Sequence, residues 1–246
     1  MGFTRSYKIA GKVIEITSLY KNVHIYCKDY AVSGKADFYV KTCESDIIYE
    51  RERSAKNDIA EGREMAEWSD SYLEELAVYR KIAEKMPEYN TFLLHGSAVS
   101  VEGSAYLFTA KSGTGKSTHT RLWRELLGDR AVMVNDDKPL INVSDSGVII
   151  YGTPYNGKHR IGNNISVPLK SICLLERAKE NTITEINRSQ AYPMLLQQAY
   201  RPRDISALRK TLSLIDEMSE KIKFYRLGCN MDISAAQLAF NTMSSQ

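Results

Sequence analysis

The stretch "FTAKSGTGKSTHTRLW", Phe108 to Trp123, decides how this chain is read. It follows the phosphate-loop pattern G-x-x-x-x-G-K-[ST], except that Ala110 takes the first glycine position. An apolar run, "AYLFTA", precedes it, and the helical pattern "KSTHTRLWRELLG" follows. In such a strand–loop–helix setting, consecutive backbone N–H groups converge at the start of a helix, whose dipole adds positive potential. Ser112, Gly113, Thr114, Gly115, Lys116, Ser117 and Thr118 are the expected nucleotide-binding residues. Lys116 reaches the outer phosphates and the Ser117 hydroxyl takes a place on Mg²⁺. Gly113 and Gly115 sit where left-handed dihedrals are needed. Ala110 falls at the strand exit, where its methyl costs little if φ is negative.

Working outward, the strand "RAVMV" runs into "NDDKPL". A strand that ends in carboxylates beside a phosphate loop is where phosphoryl-transfer sites keep a metal-liganding acid. Asp136 and Asp137 can divide the labour, one on Mg²⁺ and one taking a proton from the acceptor. Upstream, "LLHGSAV" sets His95 in an apolar strand just before Gly96, close enough in pattern to the loop to be a third candidate.

The surrounding texture fixes the fold class. "TFLLHGSAVSVEGSAYLFTA" reads as two strands turning at Val101-Glu102-Gly103, and "PLINVSDSGVIIYG" as a second hairpin turning at Ser144–Gly147. The loop-bearing strand is thus an arm of a hairpin, which predicts an α/β fold with a mixed, largely antiparallel sheet, a phosphate loop and flanking helices. Residues 7–50 are rich in Val, Ile, Tyr and Phe and read as several short strands, largely antiparallel. Residues 51–69 read as a loop or marginal helix, and "SDSYLEELAVYRKIAEKMP" as a helix with a Ser71–Glu74 capping box. Helices are also expected around 189–200, over 204–220 with Ile205, Leu208, Leu212 and Ile215 on one stripe, and after Asp232. The expected organisation is a β-rich appendage over 1–69 and a nucleotide-binding catalytic domain over 70–246.

Composition removes several classes of function. With 246 residues, 43% hydrophobic and 26% charged, the chain has the make-up of a globular protein. A net charge of +3 without a dense basic run argues against nucleic acid, and no apolar run is long enough to span a membrane. Cys27, Cys43, Cys173 and Cys229 are scattered, which suggests neither zinc nor a disulfide framework. "MGFTRSYKIAGK" has no apolar h-region, so a cytoplasmic location is expected.

Together, "HGSAV", "AKSGTGKST" and "NDDKPL" resemble the catalytic domain of HPr kinase/phosphorylases and, more distantly, the nucleotide core of phosphoenolpyruvate carboxykinases. The resemblance covers roughly residues 91–145. It implies an ATP- and Mg²⁺-dependent kinase that transfers the γ-phosphoryl group to a hydroxyl. Lys116 is then the phosphate lysine, Ser117 and Asp137 the metal side, Asp136 the acid/base group and His95 the active-site histidine. The chain departs from the family after the acidic pair, where "GTPYNGKHRIGNN" stands in place of a Glu-x-Arg-Gly signature. Lys158, His159 and Arg160 in that Gly-bracketed loop are candidate acceptor-binding cations, as are Arg201 and Arg203 in "YRPR". The acceptor is a hydroxyl-bearing small molecule or a peptide or protein Ser/Thr, and a homo-oligomer is compatible with the resemblance. A carboxykinase-type reaction and a non-catalytic ATP-binding regulator are the competing readings.

Overall fold

The computed structural model describes residues 2–60, 62, 64–157 and 159–245. The chain divides into two compact units, Met1–Lys85 and Met86–Gln246, rather than at residue 70. The helix over 70–85 therefore belongs to the N-terminal unit.

In that unit, β1 (Phe3–Ile9) and β2 (Lys12–Ser18) form an antiparallel hairpin, followed by the short helix α1 (Asn22–Tyr26). Strand β3 (Phe38–Lys41) then pairs with β2 in parallel, and the helices α2 (Glu44–Ala60) and α3 (Asp70–Lys85) complete it. Alternate strand residues Tyr7, Ile9, Ile14, Ile16, Phe38 and Val40 are buried, as the two-residue period of a half-covered sheet requires. Two expectations are corrected here. Residues 22–26 and 44–50 are helical, not strand, and the β2–β3 pairing is parallel; over 51–60 the helical alternative holds. The start of α3 also differs. Ser69 caps it, its Oγ accepting from Tyr72 N at 3.3 Å. Glu74, expected in a capping box, accepts instead from the backbone N–H groups of Leu19 and Tyr20 at 2.6 and 2.8 Å.

The second unit runs β4 (Thr91–Leu93), β5 (Ser97–Val101), β6 (Ser104–Thr109), α4 (Lys116–Leu127), β7 (Ala131–Asn135), β8 (Leu140–Ser144) and β9 (Gly147–Tyr151). It continues with β10 (Ser166–Arg177), β11 (Thr182–Ile186), α5 (Arg188–Gln198), α6 (Ile205–Lys221), β12 (Lys223–Cys229) and α7 (Ile233–Ser244). Its strands form one mixed sheet in the order β4-β8-β9-β10-β6-β5-β7, with β12 beside β10 and β11 beside β12. Pairing is antiparallel except for β10 with β6 and with β12. Both expected turns form, but the first arm expected from residue 91 is broken at His95 and Gly96 into β4, which pairs with β8, and β5, which pairs with β6. At the β5–β6 turn Glu102 and Gly103 take φ of 51° and 80°, the left-handed pair that suits a two-residue hairpin loop.

Side-chain alternation gives the sheet two apolar faces. Ala98, Leu107, Ile172 and Leu174 look to one cluster with Leu195 of α5 and Leu214, Ile215 and Met218 of α6. Val99, Phe108, Cys173 and Leu175 look to the other, with Trp123 of α4 and Ala236 and Met243 of α7. Trp123 meets Phe240 edge-to-face, ring centroids 5.5 Å apart. The buried stripe of α6 is Thr211, Leu214, Ile215, Met218 and Ser219; of the expected stripe Ile215 lies in it, Leu208 and Leu212 are half-buried and Ile205 is 67% exposed. Asp204 and Asp232 cap α6 and α7 through their carboxylates.

Sheet direction positions the site. Strands β6, β10 and β12 run parallel, and β7 lies antiparallel to β5, which is itself antiparallel to β6. The C-terminal ends of β6, β7, β10 and β12 and the N-terminal end of β5 therefore share one edge.

Candidate functional site

The glycine-rich loop leaves β6 at Ala110 and enters α4 at Lys116. Gly113 and Gly115 take φ of 74° and 123°, conformations that a side chain would strain. Ala110 is fully buried and is not among the residues with positive φ, so its methyl is compatible with the turn. Ser112, Gly113 and Ser117 are exposed, so the loop opens to solvent. Thr114 turns its amide to the Lys111 carbonyl at 3.3 Å. Lys116 folds back on the loop, with Nζ 3.1 Å from Ala110 O and 3.4 Å from Lys111 O.

The acidic pair lies just beyond β7, at the same sheet edge. Asn135 holds the turn, its Oδ1 accepting from the backbone N–H of Asp137 (2.9 Å) and of Lys138 (2.7 Å). Asp136 is 5% exposed and accepts from Ser97 Oγ at 2.6 Å; Ser97 Oγ in turn lies 2.7 Å from Thr120 Oγ1 on α4. The Ser117 hydroxyl also acts on the Asp136 carboxylate and favours its ionised form. Asp137 Oδ1 lies 3.2 Å from His95 Nε2 and Oδ2 lies 3.7 Å from Lys138 Nζ. His95 Nδ1 is 2.9 Å from Gln198 Oε1 at the end of α5, and Gly96 N donates to the Asp137 carbonyl at 3.0 Å.

Burial and charge set the two carboxyls apart. Burial pushes Asp136 above the ordinary carboxylate range, against the hydroxyls of Ser97 and Ser117. Burial would raise Asp137 too, but His95, Lys138 and Lys116 outweigh it and hold its carboxyl low. Lys116 is pulled down by burial, and the two aspartates only partly restore it.

The sequence-predicted residues are thus brought together in part. His95, Lys116, Ser117, Asp136 and Asp137 converge. The loop after β9 lies against the acidic turn: a Cβ on Gly157 would sit 3.3 Å from Asp137 Cβ, and one on Gly152 only 1.8 Å from Asn163 O. His159 and Arg160 are exposed in this loop, and His159 acts electrostatically on Asp136. Lys158 lies outside the described residues. Arg201 and Arg203 are exposed just beyond Gln198. Sequence reasoning missed Ser97, Thr120, Gln198 and Arg177. The last caps the loop, its guanidinium 2.5 Å from Gly113 O and 3.5 Å from Thr114 O. Only Ser97, inside "HGSAV", carried a local signal.

Fold and site define a mixed α/β protein with a glycine-rich strand–loop–helix turn set against an aspartate pair, of which Asp136 is buried and Asp137 half-buried. The chain belongs to the family described as SynChlorMet cassette protein ScmC, whose model matches residues 59–234. No curated protein matches it. Among solved structures it is similar to the Hpr(Ser) kinase/phosphatase from Coxiella burnetii, at 10% identity and a TM-score of 0.35. That likeness covers 61% of this chain and 95% of the other, and nothing of this chain's chemistry follows from it. Among the described residues no helix is long and apolar enough to cross a membrane, and no group of three or more His, Cys, Asp or Glu could hold a metal.

Proposed function

We propose that the protein is an ATP- and Mg²⁺-dependent kinase that transfers the γ-phosphoryl group to a hydroxyl of a small molecule or of a peptide or protein Ser/Thr. The observation that carries this reading is the meeting, at one sheet edge, of the glycine-rich loop with Lys116 and the Asp136–Asp137 turn. The loop amides and Lys116 bind the phosphates, a role that depends on positioning and electrostatics. The oxygen donors fit magnesium, which takes one or two carboxylates together with phosphate oxygens and needs no all-protein cage. Ser117 and Asp137 would hold it, and bound Mg²⁺ would neutralise charge on the transferring phosphate. Asp136 takes the proton as the acceptor oxygen attacks the γ-phosphorus, and ADP leaves. Its raised pKa supports this role, since a base works best near the operating pH. His159, Arg160 and Lys158, with Arg201 and Arg203, are the residues proposed to recognise the acceptor.

A specific observation favours the opposite division of labour. Ser117, the metal-side hydroxyl, acts on the Asp136 carboxylate and favours its ionised form, and Asp137 is the carboxylate paired with His95. Titrating Mg²⁺ against labelled-phosphate transfer and ATP affinity decides between them. On the first assignment Asp136→Asn keeps ATP binding and loses about two to four orders of magnitude in transfer. Asp137→Asn then raises the Mg²⁺ requirement. Interchanged phenotypes establish the second assignment, and normal transfer by both variants removes the kinase reading.

A further inference from the structure

Beside the glycine-rich loop lies a cavity of about 430 Å³, within the size range of small-molecule sites. It opens where the three parallel strands end together. Leu174 of β10 is level with Thr109 of β6, and Arg177 of β10 with Cys229 of β12. Its wall shares Gly113, Thr114 and Gly115 with the loop and adds His119, Leu122, Arg177, Ala178, Cys229 and Met231.

One residue of this wall carries a buried ring nitrogen without a protein partner. His119 is 2% exposed. Its Nε2 accepts from Trp123 Nε1 at 3.1 Å, and an indole nitrogen can only donate. Burial pushes the imidazole down to about 4, so the ring is neutral at pH 7 and its proton sits on Nδ1. That Nδ1 is buried with no hydrogen-bond partner, an omission that costs stability unless a ligand supplies the acceptor. The other walls suit a flat heteroaromatic ring. Leu122 and Ala178 are apolar, Met231 offers a polarizable thioether and is 80% exposed at the rim, and Arg177 presents a planar guanidinium already anchored to the loop carbonyls.

We propose that this cavity binds the purine base of the nucleotide whose phosphates occupy the loop, with His119 Nδ1–H donating to a base acceptor. This deepens the kinase reading and rests on it. No step in phosphoryl transfer involves His119; it orients the base.

The test measures calorimetric binding of ATP and of inorganic tripolyphosphate, each with Mg²⁺, to the whole chain and three variants. His119→Gln keeps an acceptor for Trp123 near the Nε2 position but loses the Nδ1 donor. His119→Asn keeps a donor near the Nδ1 position but loses the Trp123 contact. Ala178→Trp fills the cavity from an exposed position. The wild type should bind ATP more tightly than tripolyphosphate. His119→Gln should weaken ATP by about three- to tenfold and leave tripolyphosphate unchanged. His119→Asn should stay near wild type for both ligands. Ala178→Trp should weaken ATP alone. Equal wild-type affinity for ATP and tripolyphosphate, or loss of ATP affinity in His119→Asn but not His119→Gln, overturns the base pocket and leaves the phosphate loop standing. If neither ligand binds, the phosphate-loop reading itself fails, and the pocket with it.

Discussion

Both units bury charge, and they treat it differently. In the N-terminal unit Arg80 lies between α3 and α2, with Nε 2.5 Å from Glu50 and a terminal nitrogen 3.1 Å from Asp46. Glu74, fully buried, is met by two backbone N–H groups and the Thr42 hydroxyl. In the C-terminal unit Lys116 is as buried as Arg80, at 8% exposed, yet Nζ bonds only two carbonyls of its own loop. Asp136 is met by hydroxyls rather than by a cation in contact. The first set closes on itself and serves packing. The second is left short of counter-charge, which is what the proposed binding of phosphate and Mg²⁺ would require before they arrive.

Mutations should separate the two regions. The largest effect on stability belongs to Arg80→Met, which takes the close partner from buried Glu50 and leaves it only Arg53 at 3.5 Å, while Asp46 keeps Lys81 at 2.8 Å; the loss should be about 3 kcal/mol. Chemical denaturation measures it, and a loss near zero would show that the network is not structural. Lys116→Ala should leave the ligand-free midpoint almost unchanged while removing the ATP-dependent gain. For the wild type that gain is about 2.7 kcal/mol at a hundredfold excess over Kd. A mutant that responds to Mg²⁺·ATP like the wild type would mean that the loop is not the phosphate site. The smallest effect is expected from Asp136→Asn without ligand. The folded-state pKa of Asp136 lies above its ordinary 3.8, so the native state holds this proton more firmly than the unfolded chain. Stability is then lost as pH rises through that window. Asp136→Asn removes the loss, so its Tm should exceed that of the wild type at neutral pH and match it in acid. A lower Tm at pH 7 would show that the ionised carboxylate is stabilising.

The expected site was legible where chemistry and sequence run together. The loop is eight consecutive residues, the acidic pair two, and "HG" sits at a strand end. In the N-terminal unit the same reasoning failed for a physical reason. The buried positions of α2 are Ile47, Glu50 and Asp58, while Ile48 and Ile59 are 56% and 67% exposed. A helix that turns carboxylates inward and isoleucines outward has no apolar stripe to read, because Arg80, supplied from α3, makes that inversion tolerable.

The sequence by itself determined the loop, the carboxylate pair, the two hairpins and hence the mixed sheet, since each follows from spacing within a few residues. Tertiary structure decided which partners those groups meet. Arg177 reaches Gly113, Gln198 reaches His95, and the cavity at His119 forms from β10 and β12, all across long stretches of intervening chain. Parallel register sets the first and the last, because it brings the ends of β6, β10 and β12 together however far apart they lie in sequence, and the antiparallel bridge of Leu94 with Ala199 sets the second.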